Sequence, residues 1–258
     1  MRNMMMRVLS ITTFILLLAM TAAASEGSLS LSPSVVILRG TPGQSTTQTM
    51  KLTNGSSRPF SFDLKAQDVV VRDGRRVFVD AGQLAGSIAA TANFSRKSVT
   101  LAPGESVRVD VTVTIPPKPA ARAMLALFHG TTRLQHGSIG STVSLAMLLT
   151  FALSDDVLTS STPLNVRPPT ATSNLAVTQQ LINSGPEPFV ATGMLAIVSG
   201  KGSLVGRTPV PARRLLPGER TDVRAEYAGD LAPGHYRALM TYQLAATSVT
   251  SAAEFDVR

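Results

Sequence analysis

Residues 98–117 read SVTLAPGESVRVDVTVTIPP: a short apolar run, a Pro-Gly turn, and a long run in which valine alternates with polar residues. Successive side chains of a β-strand point to opposite faces, so this alternation predicts a half-buried antiparallel strand after the turn. A helix would distribute the valines around its axis, and β-branching disfavours a helix in any case. The stretch therefore predicts two strands joined by a tight turn.

The same unit occurs a second time in the chain. Residues 214–227 read RLLPGERTDVRAEY, and Leu215–Glu219 match Leu101–Glu105 at a distance of 114 residues. Two copies at such a distance indicate two domains of one architecture. With short strands and Gly/Pro turns throughout, we expect an all-β protein of two tandem immunoglobulin-like sandwiches, residues 25–163 and 164–258. The Ser-, Thr- and Pro-rich segment Asp155–Ser173 is interpreted as a linker or domain junction.

The N-terminus has the pattern of a secretory signal peptide. Arg2 and Arg7 precede the apolar run Val8–Met20, and Ala22-x-Ala24 supplies a cleavage site, so residues 1–24 are expected to be removed. An uncleaved anchor is the alternative, although the run is short for a hydrocarbon core of ~30 Å. We therefore expect export to the periplasm or the extracellular space, with no integral membrane segment after cleavage.

Composition excludes several classes of function. The 258 residues contain no cysteine, so neither a disulfide framework nor a thiolate metal site is possible. The formal net charge is +8, but the basic residues are spread along the chain and aromatic residues do not interleave with them. This distribution favours solubility over a dedicated anionic partner and argues against nucleic-acid binding.

No motif in the chain predicts catalysis. His129, His136 and His235 lie far apart, and none has a histidine or carboxylate at metal-ligand spacing. The adjacent Asp155 and Asp156 point to opposite sides of an extended backbone, which favours a solvated strand end over an acid/base pair. We expect no enzyme activity, and no catalytic, cofactor-binding or metal-binding residue.

Recognition through a sheet remains as the hypothesis. Thr142–Leu153 is the most apolar strand after the signal segment, and at a sheet edge it could pair with a partner strand. In the alternative interpretation its side chains fill their own domain. The candidate partner-binding residues share one face of this strand and are Val143, Leu145, Met147, Leu149 and Phe151. The arginines of Arg72–Arg76, at a predicted hairpin tip, could bind an anionic polymer, or form a solvated turn.

Residues 29–68, LSLSPSVVILRGTPGQSTTQTMKLTNGSSRPFSFDLKAQD, resemble the opening of the periplasmic pilus-assembly chaperones. Leu164–Pro168 is similar to the strand end that leads into the second domain of these chaperones. The LxPGE unit is also found in the WxL-interacting envelope proteins, and LAPGHY at Leu231–Tyr236 is similar to theirs. The resemblance implies two sandwich domains and a partner that is an exported or surface protein subunit, such as a fimbrial one.

One feature of the chaperones is missing from this chain. They anchor the terminal carboxylate of a subunit with an arginine on the first strand and a lysine on the last strand of domain one. The matching positions here are Ser34 or Val35, and a position near Pro163, and none is basic. Strand pairing therefore carries over as an expectation, whereas carboxylate anchoring does not. The alternative function is a structural or adhesive envelope protein that binds cell-wall polymer or surface proteins.

Overall fold

The computed structural model describes residues 28–132, 141–244 and 247–258, so the expected signal segment and His136 lie outside the described residues. Nearly all of the regular structure is β, with one short 3-10 helix at Ala89–Thr91. The strands of the first half are β1 (Leu29–Ser32), β2 (Val35–Arg39), β3 (Ser45–Asn54), β4 (Phe60–Arg72), β5 (Arg75–Asp80), β6 (Asn93–Phe94), β7 (Ser98–Leu101), β8 (Ser106–Thr114), β9 (Ala123–Thr132) and β10 (Ser141–Ala152). Those of the second half are β11 (Thr159–Ser161), β12 (Asn165–Arg167), β13 (Leu175–Asn183), β14 (Phe189–Ser199), β15 (Leu204–Leu215), β16 (Arg220–Tyr227), β17 (Gly234–Leu244) and β18 (Thr247–Val257).

The first ten strands form one sandwich. One sheet has the order β1-β3-β8-β6, and the other has the order β2-β10-β9-β4-β5, with β7 also pairing with β4. The inward residues of both sheets meet in one apolar core that includes the fully buried Phe62, Phe128 and Phe151. The valines at alternate positions of β8 enter this core while the residues between them face outward, as the alternation predicts.

The remaining strands form a second sandwich of the same kind. Its sheets are β11-β13-β12, with β16 also on β13, and β15-β14-β17-β18. A separate apolar core, which contains Leu195, Met240 and Tyr242 among its buried residues, lies between these sheets. The fold class is therefore confirmed as all-β, with two tandem immunoglobulin-like sandwiches.

The repeated LxPGE unit forms the same corner in both sandwiches. In the first, the Glu105 amide donates to the Ala102 carbonyl (3.1 Å), and Gly104 has a φ of +77°, as a type II turn with Pro then Gly requires. The wholly buried Asn54 donates from Nδ2 to the Leu101 carbonyl (3.0 Å) and to the Arg58 carbonyl (2.7 Å). The side chain of one asparagine thus ties this corner to the end of β3.

The segment Asp155–Ser173 is more ordered than the interpretation as a linker allowed. It contains β11 and β12, which pair with the two ends of β13, at Leu181–Asn183 and Ala176–Thr178 respectively. Strands of three residues, such as Thr-Ser-Ser in β11 and Asn-Val-Arg in β12, are too short to show an apolar alternation, and their backbone hydrogen bonds are made with β13. The expected domain boundary at residue 163 falls between these two strands, so β11 already pairs within the second sandwich.

The predicted hairpin at Arg72–Arg76 is confirmed, but its turn is not a free solvated tip. Asp73 (φ +53°) and Gly74 (φ +79°) form the two-residue turn between β4 and β5. The Gly74 carbonyl accepts a hydrogen bond from the Arg220 amide (3.0 Å), and Arg76 Nε lies 2.8 Å from Glu219 Oε1. Arg76 is therefore only partly exposed and is paired with the second sandwich, whereas Arg72 and Arg75 remain exposed, so the interpretation as a wholly solvated turn is corrected for Arg76 alone.

Two further contacts join the sandwiches. An apolar cluster contains Val69 and Ala123 of the first sandwich and Leu216 of the second, all almost fully buried. The buried Glu187 accepts a hydrogen bond at Oε2 from the Leu153 amide (2.9 Å), and its Oε1 lies 3.5 Å from Arg122 Nε. The C-terminal end of β10 is thereby held directly against the second sandwich.

Candidate functional site

Strand β10 has two different halves, and the difference defines the candidate site. On one side it pairs with β9 antiparallel from Ser141 to Thr150. On the other side it pairs with β2 in parallel, but only from Leu148 to Ala152. Among the described residues, no strand pairs with this second side of Ser141–Met147, which we call the open half of β10.

The open half exists because the first strand of the chain changes sheets at Pro33. Residues before it form β1, which pairs with β3, whereas residues after it form β2, which pairs with β10. Proline has no amide proton and is confined to edges and breaks in sheets, which explains why the strand is interrupted at this residue. The bond from the Leu148 amide to the Ser34 carbonyl (2.9 Å) is where pairing begins, just after the crossing.

The backbone of the open half presents hydrogen-bonding groups to its free side. The Leu148 amide and the Ala152 carbonyl both point toward β2, whereas the Phe151 amide points toward β9 and bonds the Arg122 carbonyl. Since backbone direction alternates along a strand, the amides and carbonyls of Thr142, Ser144 and Ala146 face the open side. Such a row of groups is a template for an added strand.

The structure separates the five predicted partner-binding residues into two groups. Met147, Leu149 and Phe151 have no exposed surface and belong to the core of the first sandwich. Val143 and Leu145 are partly buried and pack against the same core from the open half. Only these two, beside the free backbone, are placed to contact another chain without unfolding this one.

The opposite face of β10, which includes Ala146, Leu148 and Ala152, is covered over part of its length. Leu148 packs against the cluster of Val69, Ala123 and Leu216 between the sandwiches. In the open half the same face carries the small side chains of Thr142, Ser144 and Ala146, with Ser144 Oγ 3.1 Å from His129 Nδ1. The outer side of the strand is therefore occupied by the second sandwich at one end and available to solvent at the other.

The structure also places the positions where a basic pair would be expected. Val35, on β2 beside the start of paired β10, is 43% exposed and presents an aliphatic side chain. The Ser34 carbonyl accepts a hydrogen bond from the Leu148 amide, and Pro163 lies between β11 and β12. No cation at these positions can anchor a carboxylate, which agrees with the departure seen in the sequence.

The described histidines do not form a catalytic or metal cluster. His129 faces Ser144, and His235 lies on the second sandwich, with Nδ1 2.9 Å from Asp256 Oδ1. The hydrogen bond with Asp256 raises the pKa of His235 above its usual value. Within the described ranges, no group of three or more His, Cys, Asp or Glu side chains could hold a metal ion. The same residues include no helix that is long and apolar enough to cross a membrane.

Comparison with known proteins finds similarity in structure only. No protein-family model matches the chain, and no curated protein matches it in sequence. The solved structures that match include the class 5 fimbriae chaperone CfaA (12% identity, 90% of this chain and 99% of that chain, TM-score 0.43). They also include the E. coli chaperone DraB (15%, 90% and 98%, 0.41) and the Pseudomonas aeruginosa chaperone CupB2 (13%, 88% and 100%, 0.36).

Several of the matching structures are thus pilus chaperones, the class of protein that residues 29–68 resemble. These values describe a distant similarity. The fold assignment rests on the strand pairing described above.

Proposed function

We propose that this chain is an exported, non-catalytic, chaperone-like protein that binds an extracytoplasmic protein subunit by β-strand pairing. Residues 1–24 would direct export and be removed, which places the protein in the periplasm or outside the cell. The partner would be a subunit with an exposed strand or an incomplete sheet, of which a fimbrial subunit is one kind.

The observation that carries this proposal is the open half of β10. Thr142, Ser144 and Ala146 direct backbone donors and acceptors to a side with which no described strand pairs. A partner strand added there would extend the sheet β2-β10-β9-β4-β5 and satisfy these groups. Val143 and Leu145, at the rim of the core, would pack against the apolar side chains that the partner strand directs inward.

Binding at this edge does not require a conformational change in β10 itself. The strand is fixed by β9 along its length, by β2 at its far half, and by Glu187 beyond its end. A rigid template costs little ordering entropy on binding, so the energy of the new hydrogen bonds contributes to affinity. The backbone supplies affinity without sequence preference, and Val143 and Leu145 would supply the preference for an apolar partner.

The test of the proposal uses a proline at the open edge. Ser144→Pro removes an amide that faces the free side, whereas the bonds between β10 and β9 use the residues on either side of it. Purification of the mature chain from the periplasm together with its co-expressed partner subunit measures capture. We expect Ser144→Pro and Leu145→Arg to reduce capture at least about tenfold, with the unfolding transition of the second sandwich unchanged.

Ser144→Thr, which keeps the amide and favours a strand, is the matched control and should capture the partner as the parent does. Leu149→Arg is unsuitable for this purpose because Leu149 has no exposed surface, and a buried arginine would disrupt the core. Normal capture by both Ser144→Pro and Leu145→Arg would show that the partner binds elsewhere.

A further inference from the structure

The second sandwich has an open edge that is longer than that of the first. Strand β18 pairs with β17 at every residue from Thr247 to Val257, in a continuous antiparallel register. No described strand pairs with its other side. This edge is independent of the open half of β10, which belongs to the other sandwich.

The backbone groups that face this edge can be identified. The His235 carbonyl accepts the Gly200 amide (2.8 Å), so His235 and every second residue of β17 point toward β14. The residues between them point toward β18, where they pair with odd-numbered residues such as Phe255 and Ala253. The free amides and carbonyls of β18 therefore belong to the even-numbered residues, which are Ser248, Thr250, Ala252, Glu254 and Asp256.

β18 lacks most of the devices that normally protect a sheet edge. Between Thr247 and Ala253 it has no charged residue and no proline, and its register with β17 contains no bulge. The opposite edge of the same sheet, β15, carries Pro209, Pro211 and arginines, and its register with β14 shifts twice. The β15 edge of this sheet is thus unsuited to pairing with another strand, whereas the β18 edge can accept one.

We propose that β18 is a self-association edge, where two copies of this chain pair antiparallel across a two-fold axis at Ala252. In this register Ala252 lies opposite its own copy, Thr250 opposite Glu254, and Ser248 opposite Asp256. All five even-numbered residues then meet even-numbered residues, so each can exchange two hydrogen bonds with the partner copy. Two four-stranded sheets would join into one continuous sheet across the axis.

The charges of β18 favour this occupant and this register. Each carboxylate meets a hydroxyl rather than a like charge, whereas a shift that centres the axis on Glu254 would place two glutamates face to face. Within each copy, Arg237 Nη2 lies 3.2 Å from Glu254 Oε1 and His235 lies 2.9 Å from Asp256, which offsets the acidic charge near the edge. The same sequence is thus complementary to itself along the whole strand, a property that an unrelated strand would have to match by chance.

The test is the mass of the mature full chain in solution, measured by sedimentation equilibrium over a range of concentrations. We expect a monomer–dimer equilibrium. Ala252→Pro removes the amide at the axis from both copies and should weaken the dimer at least about tenfold. Ala252→Thr keeps the amide and serves as the matched control.

A charge pair at one position tests the register without a proline. Thr250→Glu places a carboxylate opposite Glu254 of the partner copy and should weaken the dimer, whereas Thr250→Lys places an ammonium there and should preserve or strengthen it. Thermal unfolding of each variant establishes that it is folded. A chain that stays monomeric at the highest concentration, or a dimer that both Ala252→Pro and Thr250→Glu leave intact, would overturn the proposal.

Discussion

The two LxPGE corners have the same internal geometry but different surroundings. In the first, Asn54 bonds the Leu101 carbonyl and the Glu105 carbonyl accepts the Asn54 amide (2.9 Å). In the second, Asn183 Nδ2 bonds the Leu215 carbonyl (3.2 Å), and the Glu219 carbonyl accepts the Asn183 amide (3.0 Å). The glutamate side chains also match, since each accepts a backbone amide of its own turn at Oε2, from Ala102 (2.9 Å) and Leu216 (2.8 Å).

The two corners differ in what surrounds them: solvent in the first, and the other sandwich in the second. Ala102 and Glu105 are exposed, so the first corner ends in solvent. Leu216 is 1% exposed and lies in the apolar cluster between the sandwiches, and Glu219 pairs with Arg76 of the first sandwich. A short sequence thus determines the turn, and one larger side chain with one cross-domain ion pair converts that turn into a docking surface.

The largest effect should come from the asparagines, and it should be equal in the two corners. Asn54→Ala or Asn183→Ala leaves two or more carbonyls without their donor in a buried site, which should cost about 3 kcal/mol of unfolding free energy. Urea unfolding measures this cost by far-UV circular dichroism for both sandwiches. Tyrosine fluorescence reports the second sandwich, because Tyr227, Tyr236 and Tyr242 all belong to it.

Costs that differ by more than about 1 kcal/mol would contradict the equivalence of the two corners. The replacement of Asn54 or Asn183 by Asp, which keeps the acceptor that receives the Ser56 or Gly185 amide, should recover only part of the loss.

A smaller effect is expected where the corners differ in size. Leu216→Ala empties the apolar cluster between the sandwiches and should cost about 2 kcal/mol, which would appear as a separation of the circular dichroism and tyrosine transitions. Ala102→Leu, the reciprocal change at the exposed corner, should stay within about 0.5 kcal/mol of the parent. If Leu216→Ala leaves both transitions unmoved, the cluster does not couple the sandwiches.

The smallest effect should come from the glutamates. Glu219→Gln keeps an acceptor for the Leu216 amide but loses the charge opposite Arg76, and a partly buried pair of this kind contributes about 1 kcal/mol. Glu105→Gln has no ion pair to lose within the described residues and should be almost neutral. A double-mutant cycle with Arg76→Gln isolates the pairwise energy, and a coupling near zero would show that this ion pair does not contribute to docking of the second corner.

The strands with apolar alternation were predictable from the sequence, and those without it were not. β8 and β10 alternate over nine residues or more, so their fold could be predicted from composition and period alone. β11 and β12 have three residues each, which is too few for an alternation to be seen. They are strands because their backbones pair with β13. The polar composition of β11 was interpreted as that of a linker, whereas β12 lies in Leu164–Pro168, for which only the family resemblance indicated a strand.

The candidate site was predictable only in part. The apolar face of β10 was visible in the sequence, but period two cannot distinguish residues that fill their own core from residues that reach a partner. Met147, Leu149 and Phe151 belong to the first kind, and their assignment to the partner-binding face stays a prediction without support from burial. Pro33 was the one signal for the open edge, since it marks the point where the first strand must stop pairing.

The sequence by itself determined the strands with apolar alternation, the repeated corner and the tandem sandwiches, because alternation and turn chemistry act between residues close in the chain. The tertiary structure alone decided which sheet edges have no partner strand, and that Arg76 and Glu219 form an ion pair between the sandwiches. These features depend on contacts with residues distant in the chain. Val35–Arg39, for example, pairs with β10 only from Leu148 onward and leaves Ser141–Met147 without a partner strand on that side. An edge is the absence of a neighbouring strand, so the residues of the edge strand itself do not determine it.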